Sequence, residues 1–295
     1  MTSVAILIVT FNSQDCIDGL LDTLPFDEAD AVVVVDNGSS DATVSLVEGR
    51  PGVLLVTSDN VGYAGGINRG VRAAPEADAY LVLNPDTTVR PGMLGSLVAT
   101  LAQPGVGVVV PLVLAADGRR QNSLRREPSL LRSLGLNWTG ISFLSEYVMG
   151  EDEYRIAHDV DWALGAALMF SRACYEAVGP WDESFFLYAE ETDFCLRAGD
   201  AGWRTRFVPD AVVVHYEGGS GRNATTHQML VLNRVRLYAR RHSRAAAWLY
   251  WGAALASEAT WLLRGQRESR EAIRALLSPR ARPPQLGLGG RRLPR

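Results

Sequence analysis

Short runs of β-branched and aliphatic residues alternate with polar segments of helical length over the first 110 residues. The runs occupy residues 4–9, 32–35, 53–56, 80–83 and 106–110. A strand that is apolar at nearly every position is buried on both faces, as in a parallel sheet covered by helices. The pattern therefore predicts an α/β domain with a mostly parallel central sheet.

The pattern weakens and then resumes. Residues 115–160 carry few strand signals and mix arginines with aromatic residues, which we interpret as a variable segment that could hold an acceptor molecule. Beyond it the sequence predicts strands at 164–170, 204–208 and 211–215, a helix at 172–178, and a second helix from about 189 to before 202. We assign residues 1–228 to the α/β domain, in two halves of about 1–112 and 113–228.

Residues 229–277 have a helical pattern and form the predicted C-terminal extension. Its part 245–263 is apolar and contains three tryptophans, but Glu258 lies inside it. A helix pair at a membrane interface is therefore favoured over a transmembrane span. Residues 278–295 are rich in Pro, Gly and Arg, and we predict a disordered tail there.

The charge is distributed unevenly along the chain. The 295 residues have a net charge of −4, but residues 230–295 hold 14 Arg and 3 Glu. A basic segment behind an acidic body indicates an anionic surface, either membrane lipid or nucleic acid, or else simply a solvated helical face. Peripheral membrane contact through this C-terminal region is one alternative, and no nucleic-acid partner is expected.

The cysteines and the amino terminus bear on the compartment. Cys16, Cys174 and Cys195 lie far apart without metal-binding spacing, so neither a disulfide framework nor a zinc site is expected. The apolar run 4–9 has no basic leader and resembles a buried strand more than a signal peptide. We expect the protein on the cytosolic side, with peripheral contact to the inner face of the cell membrane as one alternative. The oligomeric state is left open.

Polar side chains follow the first two strands. Thr10 and Asn12 end the first, where exposed backbone and small polar groups could grip a planar base. Asp36 and Asn37 end the second, and a carboxylate there can accept a hydrogen bond from a base N–H or a ribose hydroxyl. Ligands of open α/β sheets bind beyond the carboxyl ends of strands, so these residues are predicted to face one crevice.

Residues 59–70 form a glycine-rich segment, DNVGYAGGINRG. Glycines such as Gly65 and Gly66 allow the backbone to approach a phosphate, and Asn60 and Asn68 can donate hydrogen bonds to it. The segment lacks the P-loop pattern and does not follow the first strand as GxGxxG. Kinase, ATPase and dehydrogenase functions are therefore poor interpretations.

Two strand ends offer metal ligands. Asn84-Pro85-Asp86 follows the fourth strand, and one carboxylate in such a place can hold Mg²⁺ or Mn²⁺ together with substrate phosphates. His215 ends a later strand and suits a metal or pyrophosphate, although a lone histidine there is more often structural.

Residues 181–193 contain five carboxylates and four aromatic residues. Carboxylates crowded against apolar rings raise one another's pKa, which can poise a general base near neutrality. Glu190 and Glu191 are the candidates. The alternative is a charged helix N-terminus stabilised by the helix dipole, and the density of aromatic residues favours a functional site.

These motifs, in this order, resemble family-2 glycosyltransferases of the GT-A fold, especially bacterial rhamnosyltransferases of cell-envelope polysaccharide synthesis. The resemblance covers roughly residues 3–240 and runs through the motifs VTFNS, VDNGSSD, DNVGYAGGINRG, LNPD, FFLYAEETDFCLR, AGW and VPDAVVVH.

The resemblance implies roles for individual residues. The nucleoside would be bound by Thr10, Asn12 and Asp36, with Asn37 and Asn84 also on the donor side. The diphosphate sugar would be lined by Asn60, Gly65, Gly66 and Asn68. Asp86 would bind the divalent cation, with His215 as a second ligand, and Asp182, Trp162 and Tyr188 are expected on the acceptor side.

The sequence departs from the family's pattern twice. Asn84 stands in place of the first acid of D-x-D, which leaves the metal with fewer protein charges. Glu191 stands where many relatives have Asp, so the base is either Glu191, our first choice, or Glu190.

The implied reaction is a single in-line displacement in which a glutamate removes the proton of an acceptor hydroxyl and the anomeric carbon inverts. The expected donor is dTDP-L-rhamnose, and the alternative is a UDP-linked hexose, N-acetylhexosamine or galactofuranose. The acceptor is expected to be a glycan or a lipid-linked glycan. Two other functions remain open: a non-catalytic nucleotide-sugar or glycan-binding protein, and a nucleotidyltransferase, which the absence of an arginine before Arg50 disfavours.

Overall fold

The computed structural model describes residues 2–216, 223–289 and 293–294, with only the backbone described for Asn137 and Trp138. Its strands are β1 (Val4–Thr10), β2 (Ala31–Asp36), β3 (Val53–Thr57), β4 (Ala79–Leu83), β5 (Thr87–Val89), β6 (Val106–Leu114), β7 (Leu124–Arg125), β8 (Asp159–Val160), β9 (Trp162–Ala163), β10 (Ala167–Ser171) and β11 (Arg204–His215). Its α-helices are α1 (Ile17–Leu21), α2 (Thr43–Glu48), α3 (Gly62–Ala73), α4 (Met93–Leu101), α5 (Leu130–Ser133), α6 (Arg172–Val178), α7 (Glu190–Asp200), α8 (Ala224–Arg241), α9 (Arg244–Leu263) and α10 (Glu268–Leu277).

The central sheet has the strand order β3-β2-β1-β4-β10-β6-β11-β5, with β8 paired to β11. Strands β1 to β4 pair in parallel. Strand β10 is antiparallel to both β4 and β6, and β5 is antiparallel to β11. The predicted α/β fold is confirmed; parallel pairing holds for the first four strands, and the whole sheet is mixed.

Both faces of the sheet are covered, as the continuous apolar runs required. All seven residues of β1 are buried. Ala5, Leu7 and Val9 belong to one core cluster, while Ile6 and Ile8 belong to the cluster on the opposite face. This period of two follows from the strand geometry.

The segments 204–208 and 211–215, predicted as two strands, form the single strand β11. Its pairing with β6 shifts between Val208 and Val212. Pro209 lies inside this interval. Because a proline has no backbone N–H, it cannot donate to the hydrogen bonds between the strands, which accounts for the irregular pairing here.

The C-terminal helices α8, α9 and α10 pack on one another around a third core cluster. The disordered tail expected at residues 278–295 is not what the described part of the tail shows. Leu286 and Leu288 are buried in this cluster, and the buried Arg282 donates hydrogen bonds to the carbonyl oxygens of Ala275 and Leu288. A few leucines anchor the tail, although its average composition is that of a disordered segment.

Three arginines of the extension, Arg234, Arg240 and Arg241, pair with carboxylates of the acidic body. Arg241 binds Asp200 and Glu127, and Arg240 binds Asp182. Within the described part of the chain, no helix combines the length and the hydropathy that crossing a bilayer requires.

Candidate active site

The carboxyl ends of β1 and β2 meet at one edge of the sheet, as predicted. Asp36, only 2% exposed, accepts hydrogen bonds from the Thr10 hydroxyl at 3.0 Å, from the Ser39 hydroxyl, and from the backbone N–H groups of Gly38 and Ser39. A carboxylate has about four acceptor sites. Asp36 and Thr10 are thus largely engaged in shaping the loop after β2.

Asn12 is exposed at the same edge, in the left-handed region with φ of 51°. Its side-chain oxygen accepts a hydrogen bond from the Ser40 N–H at 2.9 Å, and its own N–H donates to the Ser39 hydroxyl. Phe11, which the sequence analysis did not single out, is 50% exposed. The exposure of the Phe11 ring, between Thr10 and Asn12, was not predicted from the sequence.

Asn37 and Asn60 both hold the start of α3. The Asn37 amide donates to the Gly62 carbonyl oxygen at 3.0 Å, and the Asn60 side-chain oxygen accepts from the Gly62 N–H at 3.0 Å. The glycine-rich segment, interpreted from sequence as a phosphate loop, is mostly the helix α3 itself.

The glycines of α3 permit close packing against β1. A Cβ on Gly66 would lie 2.5 Å from a methyl of Val9, and one on Gly65 would lie 2.7 Å from a methyl of Val61. Both glycines are buried. The structure therefore gives these glycines contacts with the protein's own side chains, which is the physical reason that they are glycines.

Asn68 is buried, and its amide ties α3 to the acidic segment. It donates to the Trp181 carbonyl oxygen at 2.9 Å and to Glu183 at 3.0 Å, and it accepts from the Trp181 N–H at 3.0 Å. Asn68 brings the segment that leads to the glutamate pair against the sheet.

Asp86 and His215 come together across the strand ends of β4 and β11. The Nε2 atom of His215 lies 3.2 Å from Oδ1 of Asp86, and both side chains are about nine-tenths buried. The Nδ1 atom of His215 lies 3.3 Å from the side-chain oxygen of Gln121, and the Gln121 amide donates to the His215 carbonyl oxygen. If Nδ1 carries the proton, Nε2 presents its lone pair toward Asp86.

One imidazole nitrogen and one carboxylate are a donor set that suits Mn²⁺ or Mg²⁺ when phosphate oxygens complete the shell. A hydrogen-bonded second nitrogen is the usual support for a metal-binding histidine. No group of three or more His, Cys, Asp or Glu side chains in residues 2–216, 223–289 and 293–294 is arranged to hold an ion. The pair fits a metal that a bound diphosphate helps to hold.

Tyr63 was not predicted as a site residue, and its hydroxyl contacts both Asn84 and Gly165. Its hydroxyl donates a 2.6 Å hydrogen bond to Asn84 and lies 3.3 Å from the Gly165 carbonyl oxygen. Burial raises the pKa of Tyr63 well above its usual value, and the nearby charges of Glu190, Glu191 and Asp86 raise it further. The charges of the glutamate pair and of Asp86 therefore all act on one buried phenol.

Glu190 and Glu191 begin α7 and are buried, with 3% and 9% of each residue exposed. Burial raises the pKa of Glu190, and the charge of Glu191 raises it further. Burial also raises the pKa of Glu191, opposed by backbone hydrogen bonds and by the charge of Arg125. Oε2 of Glu190 is buried and has no hydrogen-bond partner among the residues that the structure describes.

The turn before this pair is strained. Phe186, Tyr188 and Ala189 have φ values of 61°, 68° and 74°. A residue with a side chain costs about 1–2 kcal/mol in the left-handed region. Such strain concentrates at functional sites, where the surrounding structure holds it.

The residues expected on the acceptor side have different surroundings in the structure. Asp182 accepts from the Ser184 N–H and pairs with Arg240 at 2.6 Å. Trp162 is 7% exposed, and its indole donates to the Arg126 carbonyl oxygen. Tyr188 is half-buried in the strained turn.

Arg125 was not singled out from sequence as a site residue, and it is buried. Its guanidinium lies 4.0 Å from the centre of the Tyr147 ring. Burial lowers its pKa, and its charge acts on Glu191. The sequence around Arg125 carries few strand signals, so it does not indicate that this arginine is buried.

The chain was compared with known families and proteins. Residues 5–154 match the model of glycosyl transferase family 2, and residues 81–267 match that of glycosyl transferase family group 2. The chain belongs to glycosyltransferase family 2. The resemblance seen in the motifs is thereby confirmed, and the protein is a glycosyltransferase of the rhamnosyltransferase-like subgroup.

Two relatives illustrate this membership, and one solved structure illustrates the fold. The family-2 glycosyltransferase is 32% identical to the N-acetylglucosaminyl-diphospho-decaprenol L-rhamnosyltransferase of Mycobacterium tuberculosis over 254 residues, 80% of each chain. It is 23% identical to rhamnosyltransferase WbbL of Escherichia coli over 238 residues, 75% of this chain and 86% of that one. The mannosyltransferase PcManGT of Pyrobaculum calidifontis, solved with GDP-Man and Mn²⁺, superposes with a TM-score of 0.58 at 20% identity, covering 97% of this chain and 83% of that one. The last similarity confirms the GT-A fold.

Proposed function

We propose that this glycosyltransferase moves L-rhamnose from dTDP-L-rhamnose to a hydroxyl of a lipid-linked glycan in cell-envelope synthesis, with inversion at the anomeric carbon. The observation that carries the proposal is the buried glutamate pair at the start of α7, which follows the strained turn of residues 186–189. The identity to rhamnosyltransferases supports the sugar, and a UDP-sugar donor is the alternative.

The donor would lie along the strand ends. Asn12 is exposed there, beside the ring of Phe11. Asp36, Asn37 and Asn68 hold the surrounding loops and helix through their hydrogen bonds. In this proposal these three residues shape the donor cleft. The nucleobase of the donor is bound by the loop that follows β1.

Asp86 and His215 would hold a divalent cation, with Gln121 fixing the orientation of the imidazole. When bound, the cation offsets the charge that develops on the departing diphosphate. The side-chain oxygen of Asn84 accepts a hydrogen bond from the Tyr63 hydroxyl. Asn84 would therefore hold Tyr63 in place, and it adds no charge to the site.

Glu191 would be the general base. It is the more accessible of the pair. A Cβ on Gly165 would lie 3.6 Å from Cγ of Glu191, so the glycine leaves room beside this carboxylate. A glutamate with a raised pKa is a stronger base for an acceptor hydroxyl. Glu190 is deeper, and burial together with the charge of Glu191 raises its pKa, so it would stay the neutral acid while Glu191 accepts the proton.

The experiment is a transfer assay with dTDP-L-rhamnose and a synthetic lipid-linked glycan, in which the product is identified by mass and its anomeric configuration by NMR. The proposal expects a single added deoxyhexose with inverted configuration. A retained configuration would contradict the single displacement, and transfer only from a UDP-sugar would contradict the choice of donor.

The outer face of α9 supports the proposed lipid-linked acceptor. Its exposed positions 245, 249, 256, 259 and 263, here called the α9 ridge, are Ala or Leu and follow helical spacing. Leu249 is 65% exposed and Leu263 is 88% exposed. Arg244 and Arg264 flank the ridge and are exposed.

An apolar stripe with arginines at both ends fits the boundary of an anionic bilayer, where the stripe enters the acyl region and the guanidinium groups reach the headgroups. We therefore propose that the ridge docks the protein on the inner face of the cell membrane, next to its acceptor.

A further inference from the structure

Helix α8 contacts the strained turn of residues 186–189 through one side chain. The amide nitrogen of Asn233 lies 2.7 Å from the carbonyl oxygen of Phe185, 2.9 Å from that of Leu187 and 3.1 Å from that of Tyr188. Asn233 is completely buried. The two N–H bonds of one amide are thus shared among three carbonyl oxygens of the segment that leads directly into Glu190.

The orientation of this amide is itself fixed. Arg236, one turn further along α8, donates to the side-chain oxygen of Asn233 at 2.7 Å. The same guanidinium group donates to the Ser184 carbonyl oxygen at 3.0 Å. Because the oxygen of Asn233 faces a cation, its NH₂ group must face the carbonyls of the turn.

The turn is held from the other side by α3. The N–H of Tyr63 donates to the Phe186 carbonyl oxygen at 2.6 Å. A Cβ on Gly62 would lie 2.3 Å from that same oxygen. The turn therefore contacts both α3 and α8, and the backbone of Phe186 has no room to move toward α3. On the α8 side the turn is held by Asn233.

We propose that Asn233 is a positioning residue that holds the turn in the left-handed geometry that aims Glu190 and Glu191 into the site. The C-terminal extension is then part of the catalytic apparatus as well as a docking element. The effect on transfer rests on the proposed function, whereas the hold on the turn does not.

The test compares Asn233→Ala and Asn233→Asp with Gln228→Glu in the full-length chain. Gln228 is a buried amide on the same helix, but its NH₂ binds the Glu271 carbonyl oxygen of α10. Asn233→Ala removes the donors without adding charge, which keeps the test available if the aspartate variant does not fold. Unfolding temperatures and circular dichroism confirm that the variants compared are folded.

Two readouts separate positioning from general stability. Hydrogen exchange measured by mass spectrometry should become faster in residues 185–192 of Asn233→Ala and stay unchanged there in Gln228→Glu. The kcat for transfer should fall about 100-fold, as expected for a reacting group displaced by about 1 Å, while the KM for the donor changes less than threefold.

Exchange or kcat at the wild-type level in Asn233→Ala would overturn the proposal, as would an equal loss of kcat in Gln228→Glu. A wild-type chain that transfers no sugar would contradict the proposed function instead. Even then, faster exchange confined to residues 185–192 would support the hold of Asn233 on the turn, and unchanged exchange would refute it.

Discussion

The imidazole of His215 lies 3.2 Å from the carboxylate of Asp86. The two residues are far apart in the sequence, since Asp86 follows β4 and His215 ends β11. The backbone joins them too, because the Tyr216 N–H donates to the Asp86 carbonyl oxygen. Two residues that sequence reasoning proposed as metal ligands are therefore neighbours in the structure.

The first prediction concerns this pair. Asp86→Asn should abolish the strengthening of donor binding by Mn²⁺, because an amide gives the cation no charge. Calorimetric titration with dTDP-L-rhamnose, with and without Mn²⁺, measures the difference. Asp210→Asn, an exposed carboxylate on the same strand as His215, is the matched control and should bind as the wild type does. Equal metal dependence in Asp86→Asn and the wild type would place the ion elsewhere.

The second prediction separates the two glutamates. Glu191→Gln should lower kcat by about 10²–10⁴-fold, the range that general-base catalysis contributes, while donor affinity stays within threefold. Glu190→Gln should retain measurable transfer, because Glu191 still accepts the proton. Single-turnover rates with saturating donor give both values. Complete loss in Glu190→Gln together with activity in Glu191→Gln would reverse the assignment.

The third prediction concerns the pH dependence of stability. The folded state raises the pKa of Glu190 through burial and the charge of Glu191. Below the unfolded pKa of about 4.3 the carboxyl is neutral in both states; as pH rises through the higher folded pKa, ionising it in the core lowers the free energy of unfolding.

Glu190→Gln mimics the neutral acid and should remove this loss. Its melting temperature should match the wild type near pH 4.5 and exceed it at pH 8, by about 2–4 °C for each kcal/mol recovered. Differential scanning calorimetry across this range gives the comparison. A variant that is less stable at pH 8 would mean that the carboxylate is stabilised by partners in the folded state.

Sequence reasoning predicted much of the framework from periodicity. The helix α6 was predicted at residues 172–178, where it lies in the structure, and the first four strands were found to within one or two residues. Burial on both faces leaves a plain signal along the chain. The short strand β5, Thr87–Val89, was missed because three residues are too few to show a period.

The site was harder to predict because its contacts cross the chain. Tyr63 and Arg125 gain their significance from neighbours that are distant in sequence. The glycines of α3 were interpreted as a phosphate loop, yet Gly66 makes room for Val9. Asn68 was expected to bind the donor, and its amide instead bonds Trp181. The sequence of a motif alone does not show whether a polar or small residue contacts a ligand or another part of the protein.

The fourth prediction concerns the α9 ridge. The double variant Leu249→Glu and Leu263→Glu should reduce binding to phosphatidylglycerol vesicles at least tenfold, because burying each leucine contributes about 1.5–3 kcal/mol. Vesicle flotation measures the bound fraction. Leu54→Glu, at a half-exposed leucine on the edge strand β3, is the control. Unchanged flotation of the double variant would show that the ridge does not dock on membranes.

The measurement that tests the central claim most directly is a calorimetric panel of the wild-type protein with Mn²⁺ against dTDP-L-rhamnose, UDP-glucose, UDP-N-acetylglucosamine, UDP-galactofuranose and GDP-mannose. The account predicts that dTDP-L-rhamnose binds at least tenfold more tightly than the other four and that removing Mn²⁺ weakens it. Binding to none of the five would contradict the proposed transfer and favour a non-catalytic role, and preference for a UDP-sugar would contradict the rhamnosyl donor while leaving the family membership intact.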